Sequence, residues 1–226
     1  YLFIEFIIIF IFADRGILAA LGNSLFIGAV TVAISIALGT PAAVSMSRRS
    51  GRAGRTLENI SYLTILLPEI ILGISFLTWY AALHLPFGTA SIICAHVTFC
   101  VPYTVIMIRS RLADFDRSIE EAARDLGANA RQVFFTIILP AIMPAIVSSA
   151  LLCFVMSLDN VIISFFASGP EGTTLPLKIY SLLKLRPTPV INALCSLMTA
   201  ITFVAVFLNQ ILDRKNEKKN SVNEKG

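Results

Sequence analysis

Charge is scarce in this sequence, and so are the side chains that most often carry chemistry. Only 14% of its 226 residues are charged while 56% are hydrophobic, and the mean hydropathy is +0.80. A soluble domain of this length would not carry so much apolar surface, so the class is an all-α integral membrane protein. The four cysteines, Cys94, Cys100, Cys153 and Cys195, all lie in apolar segments and form no C-x-x-C or Cys/His spacing. That excludes a metal or disulfide framework and predicts four small buried hydrophobes. His84 and His96 stand alone and read the same way. No G-x4-G-K-[ST] loop occurs, and Gly51-x-x-Gly54 is not one, so the chain has no phosphate cradle of its own. No Ser/His, Cys/His or metal-binding constellation supports an enzyme. The net charge of +4 is not a nucleic-acid signal, because the basic residues fall in loops and tail. A basic leader and a small-residue cleavage site are missing too. Tyr1 to Phe12, an apolar run short of the roughly 20 residues a span needs, is therefore expected to be the end of a truncated first membrane helix.

What is present is a succession of apolar runs. Leu25 to Ser45, Leu57 to Leu83, Thr89 to Ile108, Ala141 to Phe166 and Val190 to Leu212 predict five complete transmembrane helices, six with the truncated first. Gly28, Ser35 and Gly39 in the first of them permit close helix contact. Residues 1–212 are thus one transmembrane domain, and 213–226, rich in Lys, Asn and Glu, are expected to be a disordered tail. Of the 18 basic residues, 14 lie in the loop at 46–56, the loop at 109–140 and the tail. The excess of positive charge places those three segments, the C-terminus included, on the cytoplasmic side. In the loop Ala167 to Pro189 a short amphipathic piece, Leu177 to Leu185, falls on the opposite side. It reads equally as a gate or as an interfacial anchor.

One polar stretch interrupts the apolar runs, Ser118 to Pro140. Ser118-x-x-Glu121 has the spacing of a capping box, with Glu120 and Glu121 near the positive end of a helix dipole. Gly127 supplies a left-handed stop, and Asn129-x-x-Gln132 reads as a second cap. The expectation is a small helix between two spans, with its own start and stop.

The order of residues there is more particular. Glu121-Ala122-Ala123, three residues, Gly127, nine residues, Ile137, one residue, Leu139-Pro140 reproduces E-A-A-x3-G-x9-I-x-L-P. In this it resembles the permease subunits of binding-protein-dependent ABC importers. The resemblance implies a type I ABC importer permease fold. Its cytoplasmic coupling helix docks on a separate ATP-hydrolysing subunit through Glu120, Glu121, Ala122, Ala123, Gly127, Leu139 and Pro140. It also implies the partners: a pair of ATP-binding subunits, a second homologous permease subunit and a periplasmic solute-binding protein, in the bacterial inner membrane. ATP and its Mg²⁺ then belong to the partner ATPase, and this chain carries no cofactor.

Glu69 and Asp159 are acids placed at depth within predicted spans. An ionised carboxylate facing lipid costs several kcal/mol, so each must face the bundle interior, a water-filled cavity or a partner. Two readings stand for each. Both line the pathway of a cationic solute, or Glu69 caps a helix broken by Pro68 and Asp159 bonds to nearby backbone or Asn160. A narrower resemblance bears on this. Ser157-Leu158-Asp159-Asn160, Ser164-Phe165-Phe166, Thr174 to Ser181, Leu67-Pro68-Glu69-Ile70 and Asn23-Ser24-Leu25 look like spermidine/putrescine permease subunits, except at Asn160, where those commonly carry a second acid. It implies polyamine transport with Asp159, Asn160 and Glu69 in the substrate pathway. The alternatives are an importer of the same class for iron, thiosulfate or phosphonate, or an ion-gradient-driven transporter that uses the buried acids as a relay.

Overall fold

The structure is a computed structural model that describes residues 14–48, 52–169, 172–185, 191–192, 194–196, 198–204 and 206–207, with side chains left undescribed at 52–55, 57, 58 and 185. The expected truncated helix at 1–12 and the expected tail at 213–226 lie outside the described residues.

Helix α1 (Arg15–Arg48) is one long rod, and its small residues set what it packs against. A Cβ on Gly39 would come within 2.7 Å of Thr104 Cγ2, and one on Gly28 within 3.1 Å of the Phe154 ring. These approaches bring α1 against α4 (Thr89–Ala113) and α7 (Leu139–Asp159), which also pack on each other. In lipid, where apolar surface gains little by leaving its surroundings, such close backbone contact is a main source of helix association. Prolines lie inside all three helices, Pro41, Pro102 and Pro144, and each removes one backbone bond without ending its helix.

Two other elements are broken where straight spans were expected. The run 57–83 divides into α2 (Arg52–Leu66) and α3 (Glu69–Ala82), with a bend of 101° between them. Pro68 has no N–H to give and disfavours helix at the residue before it, so α2 stops and α3 starts at the proline. The run 141–166 divides as well. α7 ends at Asp159, Asn160 is extended (ψ 101°), and a short α8 (Ile162–Ala167) follows. α3 packs along α8, and a Cβ on Gly73 would meet the Phe166 ring at 2.6 Å.

Among the described residues, α1, α4 and the continuous helical run Ala130–Asp159 are long and apolar enough to cross a membrane, and the bent α2–α3 pair makes a fourth candidate. The expected last span is represented by the shorter stretch Leu194–Val204. The amphipathic piece is α9 (Leu175–Leu185). Ser24 accepts from the Leu175 N–H at 2.8 Å, and Asn23 donates to the Thr173 carbonyl at 3.2 Å, so the start of α9 is tied to α1.

Candidate functional site

The polar stretch forms α5 (Arg117–Asp125) and a short α6 (Ala130–Val133), followed by a π-helical turn, Phe134–Ile138, that leads into α7. The N-cap of α5 is Asp116, not Ser118. Its carboxylate accepts from the Ser118 N–H at 2.9 Å, and that bond holds the Asp116 carboxyl below the usual aspartate range. An acid one residue before the helix reaches an orphan amide two positions on, so the expected Ser118/Glu121 box is pre-empted. At the other end Gly127 takes φ +88°. Gly127 N–H donates to the Arg124 carbonyl and Ala128 N–H to the Ala123 carbonyl, which is the double closure of a Schellman stop. The Asn129/Gln132 box forms in both directions, each bond at 2.9 Å.

The acids and alanines of α5 differ in what they do. Glu120 is held between Arg48 at 2.9 Å and Arg124 at 2.7 Å, and Arg117 donates to the Ser47 carbonyl at 2.5 Å. These bonds fasten α5 to the end of α1. Glu121 and Ala122 are exposed, while Ala123 packs inward with Ala128 and Ile137 against a core that includes Val133, Ile138 and Ile142. Leu139 is half-buried and Pro140 exposed at the start of α7. Beside Ala122 stand Ile119 and Leu126, 50% and 90% exposed, on the same helical face. Sequence reading missed these two; two apolar residues at i and i+7 in an otherwise polar helix are the signal that could have found them.

The second cluster lies at the two helix breaks. Glu69 is the first residue of α3 and Asp159 the last of α7, and the two carboxylates are near enough for their charges to interact. Tyr103 of α4 stands within electrostatic reach of Glu69. Glu69 sits at the positive end of its helix, whereas Asp159 sits at the negative end of α7 and is exposed, an arrangement that favours a cation beside it. Asp159 also borders a cavity of about 470 Å³, whose other walls include Ile179, Met198, Thr199, Thr202 and Phe203. Asn160 is 5% exposed and engaged: its amide oxygen accepts from the Ile163 N–H at 2.8 Å, in the first turn of α8. The structure therefore brings Glu69 and Asp159 together and turns Asn160 to capping the break.

The lone histidines part company. His84 lies in the turn just after α3, exposed and with φ +53°, whereas His96 is buried and bonded to two serines, Ser157 and Ser164. Of the cysteines, Cys100 and Cys153 are buried side by side between α4 and α7, each thiol toward the other's carbonyl. Cys94 and Cys195 are exposed, which corrects the expectation of four buried ones: they lie on apolar helix faces that this single chain leaves uncovered. Among the described residues no group of His, Cys, Asp and Glu could hold a metal ion.

Residues 35–218 match the family model for a binding-protein-dependent transport system inner membrane component. The putrescine transport system permease protein PotI of Escherichia coli K12 is 40% identical over 213 residues, covering 91% of this chain and 76% of that protein. The spermidine/putrescine transport system permease protein PotC of Haemophilus influenzae is 35% identical over 206 residues, covering 91% and 80%. Among solved structures, an inward-facing MetNI methionine ABC transporter superposes with a TM-score of 0.72 at 18% identity, over 89% of this chain and 98% of that one. A bacterial alginate ABC transporter gives a TM-score of 0.71 at 15% identity, over 92% and 82%. At such identities the structural likeness speaks to the fold alone.

Proposed function

The chain belongs to the family of binding-protein-dependent transport system inner membrane components and is a permease subunit of an ABC importer; from that premise we propose that the solute it translocates is a polyamine, putrescine or spermidine. The observation that carries this is that Glu69 and Asp159 each lie at a helix break within electrostatic reach of the other, in a chain 40% identical to a putrescine permease. A linear diammonium presents separated positive charges on an apolar stem. Asp159, at the negative end of α7 and bordering a largely apolar cavity, offers one carboxylate for an ammonium and hydrocarbon for the methylenes. Asn160 caps α8 and stands behind the pathway rather than in it.

The energy comes from elsewhere. The sequence has no G-x4-G-K-[ST] loop, so ATP with its Mg²⁺ binds a pair of partner ATPases. The α5 segment is the surface for that partner, with Ile119, Ala122 and Leu126 as its apolar contact and Glu121 at its edge. Glu120 acts within the chain, through Arg48 and Arg124. Gly127 closes the helix, and Leu139 and Pro140 return it to the bundle. The excess of Lys and Arg around this segment puts it, and the C-terminus, on the cytoplasmic side of the inner membrane. A second homologous permease chain completes the pathway, and a periplasmic binding protein delivers the solute on the side of α9.

The test is uptake of radiolabelled putrescine and spermidine by cells carrying the complete transporter, comparing the natural chain with Asp159→Asn, Glu69→Gln and Glu121→Lys. Saturable uptake should fall by about tenfold or more for either acid variant and should also fall for Glu121→Lys. Absence of polyamine uptake by the natural chain would overturn the substrate, and full uptake by Asp159→Asn would remove that acid from the pathway.

A further inference from the structure

His96 is 1% exposed in the outer half of α4, and both of its ring nitrogens are used. Nδ1 lies 2.8 Å from Ser157 Oγ, and Nε2 lies 2.9 Å from Ser164 Oγ. Ser157 is two residues before Asp159 in the last turn of α7, and Ser164 is in the first turn of α8. One imidazole therefore grips the chain on both sides of the break that carries the acid. A neutral ring has one donor and one acceptor, and two serine hydroxyls, each free to rotate, complete it in either tautomer. The break has further ties. Asn160 caps α8 from within, and the Ser91 hydroxyl, five residues before His96 on α4, donates to the Ala167 carbonyl at 2.6 Å. α4 thus holds α8 at both ends, and α7 at its last turn.

The same helix leads to the coupling segment. α4 ends at Ala113, and only Asp114 to Asp116 separate it from α5. We propose that His96 is the positioning residue that locks the α7–α8 break, and with it the Asp159 carboxylate, to α4, so that the acid moves with the helix that joins α5. This rests on the reading of Asp159 as a pathway residue. Thr98, the next polar residue on α4, does not share the role, since its hydroxyl is turned back to the Cys94 carbonyl.

Two readouts test the proposal in the complete transporter. The first needs no solute: Asp159→Cys is introduced into a chain whose four native cysteines are replaced by alanine, and its labelling rate with a water-soluble maleimide is measured. Loss of the two bonds in His96→Leu should change that rate by about fivefold or more, and His96→Gln, which keeps a donor and an acceptor, should recover part of it. The second is the KM for radiolabelled putrescine. His96→Leu should raise it about tenfold in the chain with Asp159 and have no further effect in the Asp159→Asn chain, whereas a merely structural role would weaken both alike. If His96→Leu does not assemble, Ser164→Ala, which keeps the imidazole, carries both measurements. An unchanged labelling rate, or equal KM effects in both backgrounds, would overturn the proposal. Should Asp159→Asn itself leave putrescine uptake intact, the pathway reading fails, and the labelling rate alone decides whether His96 positions the break.

Discussion

Around α5 the chain meets most of its polar demands within a few residues, with Arg48 and Arg117 as the long-range ties to α1, whereas around Asp159 most of the side-chain bonds cross from one helix to another. Asp116 reaches Ser118, Asn129 and Gln132 bond each other, and Glu120 pairs with Arg124 one turn away. At the break His96 bonds partners 61 and 68 residues distant, and Ser91 one that is 76 residues distant. The difference follows from solvent. A polar knob outside the membrane can leave Glu121 and Leu126 open to water or a partner, and it needs only enough local bonding to keep its shape. A helix broken inside an apolar bundle has backbone and side-chain groups with little water to turn to, so beyond the local Asn160 cap they are met from another helix. The first region keeps an open surface and the second is held from several helices.

Gly127→Val attacks the locally built region where it has no alternative, because a β-branched residue at φ +88° adds strain of about 1–3 kcal/mol. Open space surrounds the position, so the strain falls on the turn and not on packing. The expected outcome is the largest of three: uptake falls about tenfold or more, while the purified chain keeps its helical content and thermal midpoint. A fall in that midpoint as large as that of a core variant would show that α5 is welded to the bundle, and would break the contrast.

Gly73→Ala does the reverse. Its Cβ would strike the Phe166 ring at 2.6 Å, between α3 and α8. Overpacking of this kind costs about 1–3 kcal/mol, so the midpoint should drop, and solute KM should rise because Glu69 and Asp159 are displaced together. Stimulation of the partner ATPase in the absence of solute should stay within about twofold of normal, since α5 lies far from the change. An unaltered midpoint would mean that α3 and α8 are looser than their contact implies.

The smallest expected effect is the response of the α5 cap to acid. The folded carboxyl of Asp116 titrates below the ordinary aspartate range because the Ser118 N–H binds the ionised form. A lowered folded value stabilises the helix above the unfolded value, and that contribution is lost as pH falls through the folded one. Hydrogen exchange of α5, corrected for intrinsic rates, should therefore be protected equally from neutral pH down to about pH 5 and weaken below about pH 4. In Asp116→Asn this pH dependence should vanish. Acid sensitivity persisting in that variant would assign it to the Glu120 cluster instead.

What was legible beforehand divides along the same line. The Asn129/Gln132 box and the glycine stop could be read off the chain, because their partners are within three to five residues. Even there the N-cap of α5 lies two residues before the expected one: Asp116 accepts from the Ser118 N–H, so the helix starts ahead of the Ser118/Glu121 pair. Apolar length located the bundle helices, but it could not show that two of the runs are broken. Pro68 hinted at the first break. Nothing in Ser157 to Phe166 announced the second, because the residues that hold it open are on α4. His96 was set aside as an isolated histidine for the same reason.

By itself the sequence determined the membrane class, the family, the short helix that interrupts the spans, and the presence of two acids too costly to leave in lipid. Each of these rests on composition or on residues near one another along the chain. Only the tertiary structure decided that both acids sit at helix breaks within electrostatic reach of each other, that Asn160 is engaged as a cap, and that one imidazole joins α4 to both sides of the second break. Those outcomes depend on which helices lie side by side, and in an apolar bundle that choice is made by close contacts such as Gly39 on Thr104 and Gly73 on Phe166, between residues that no local pattern connects.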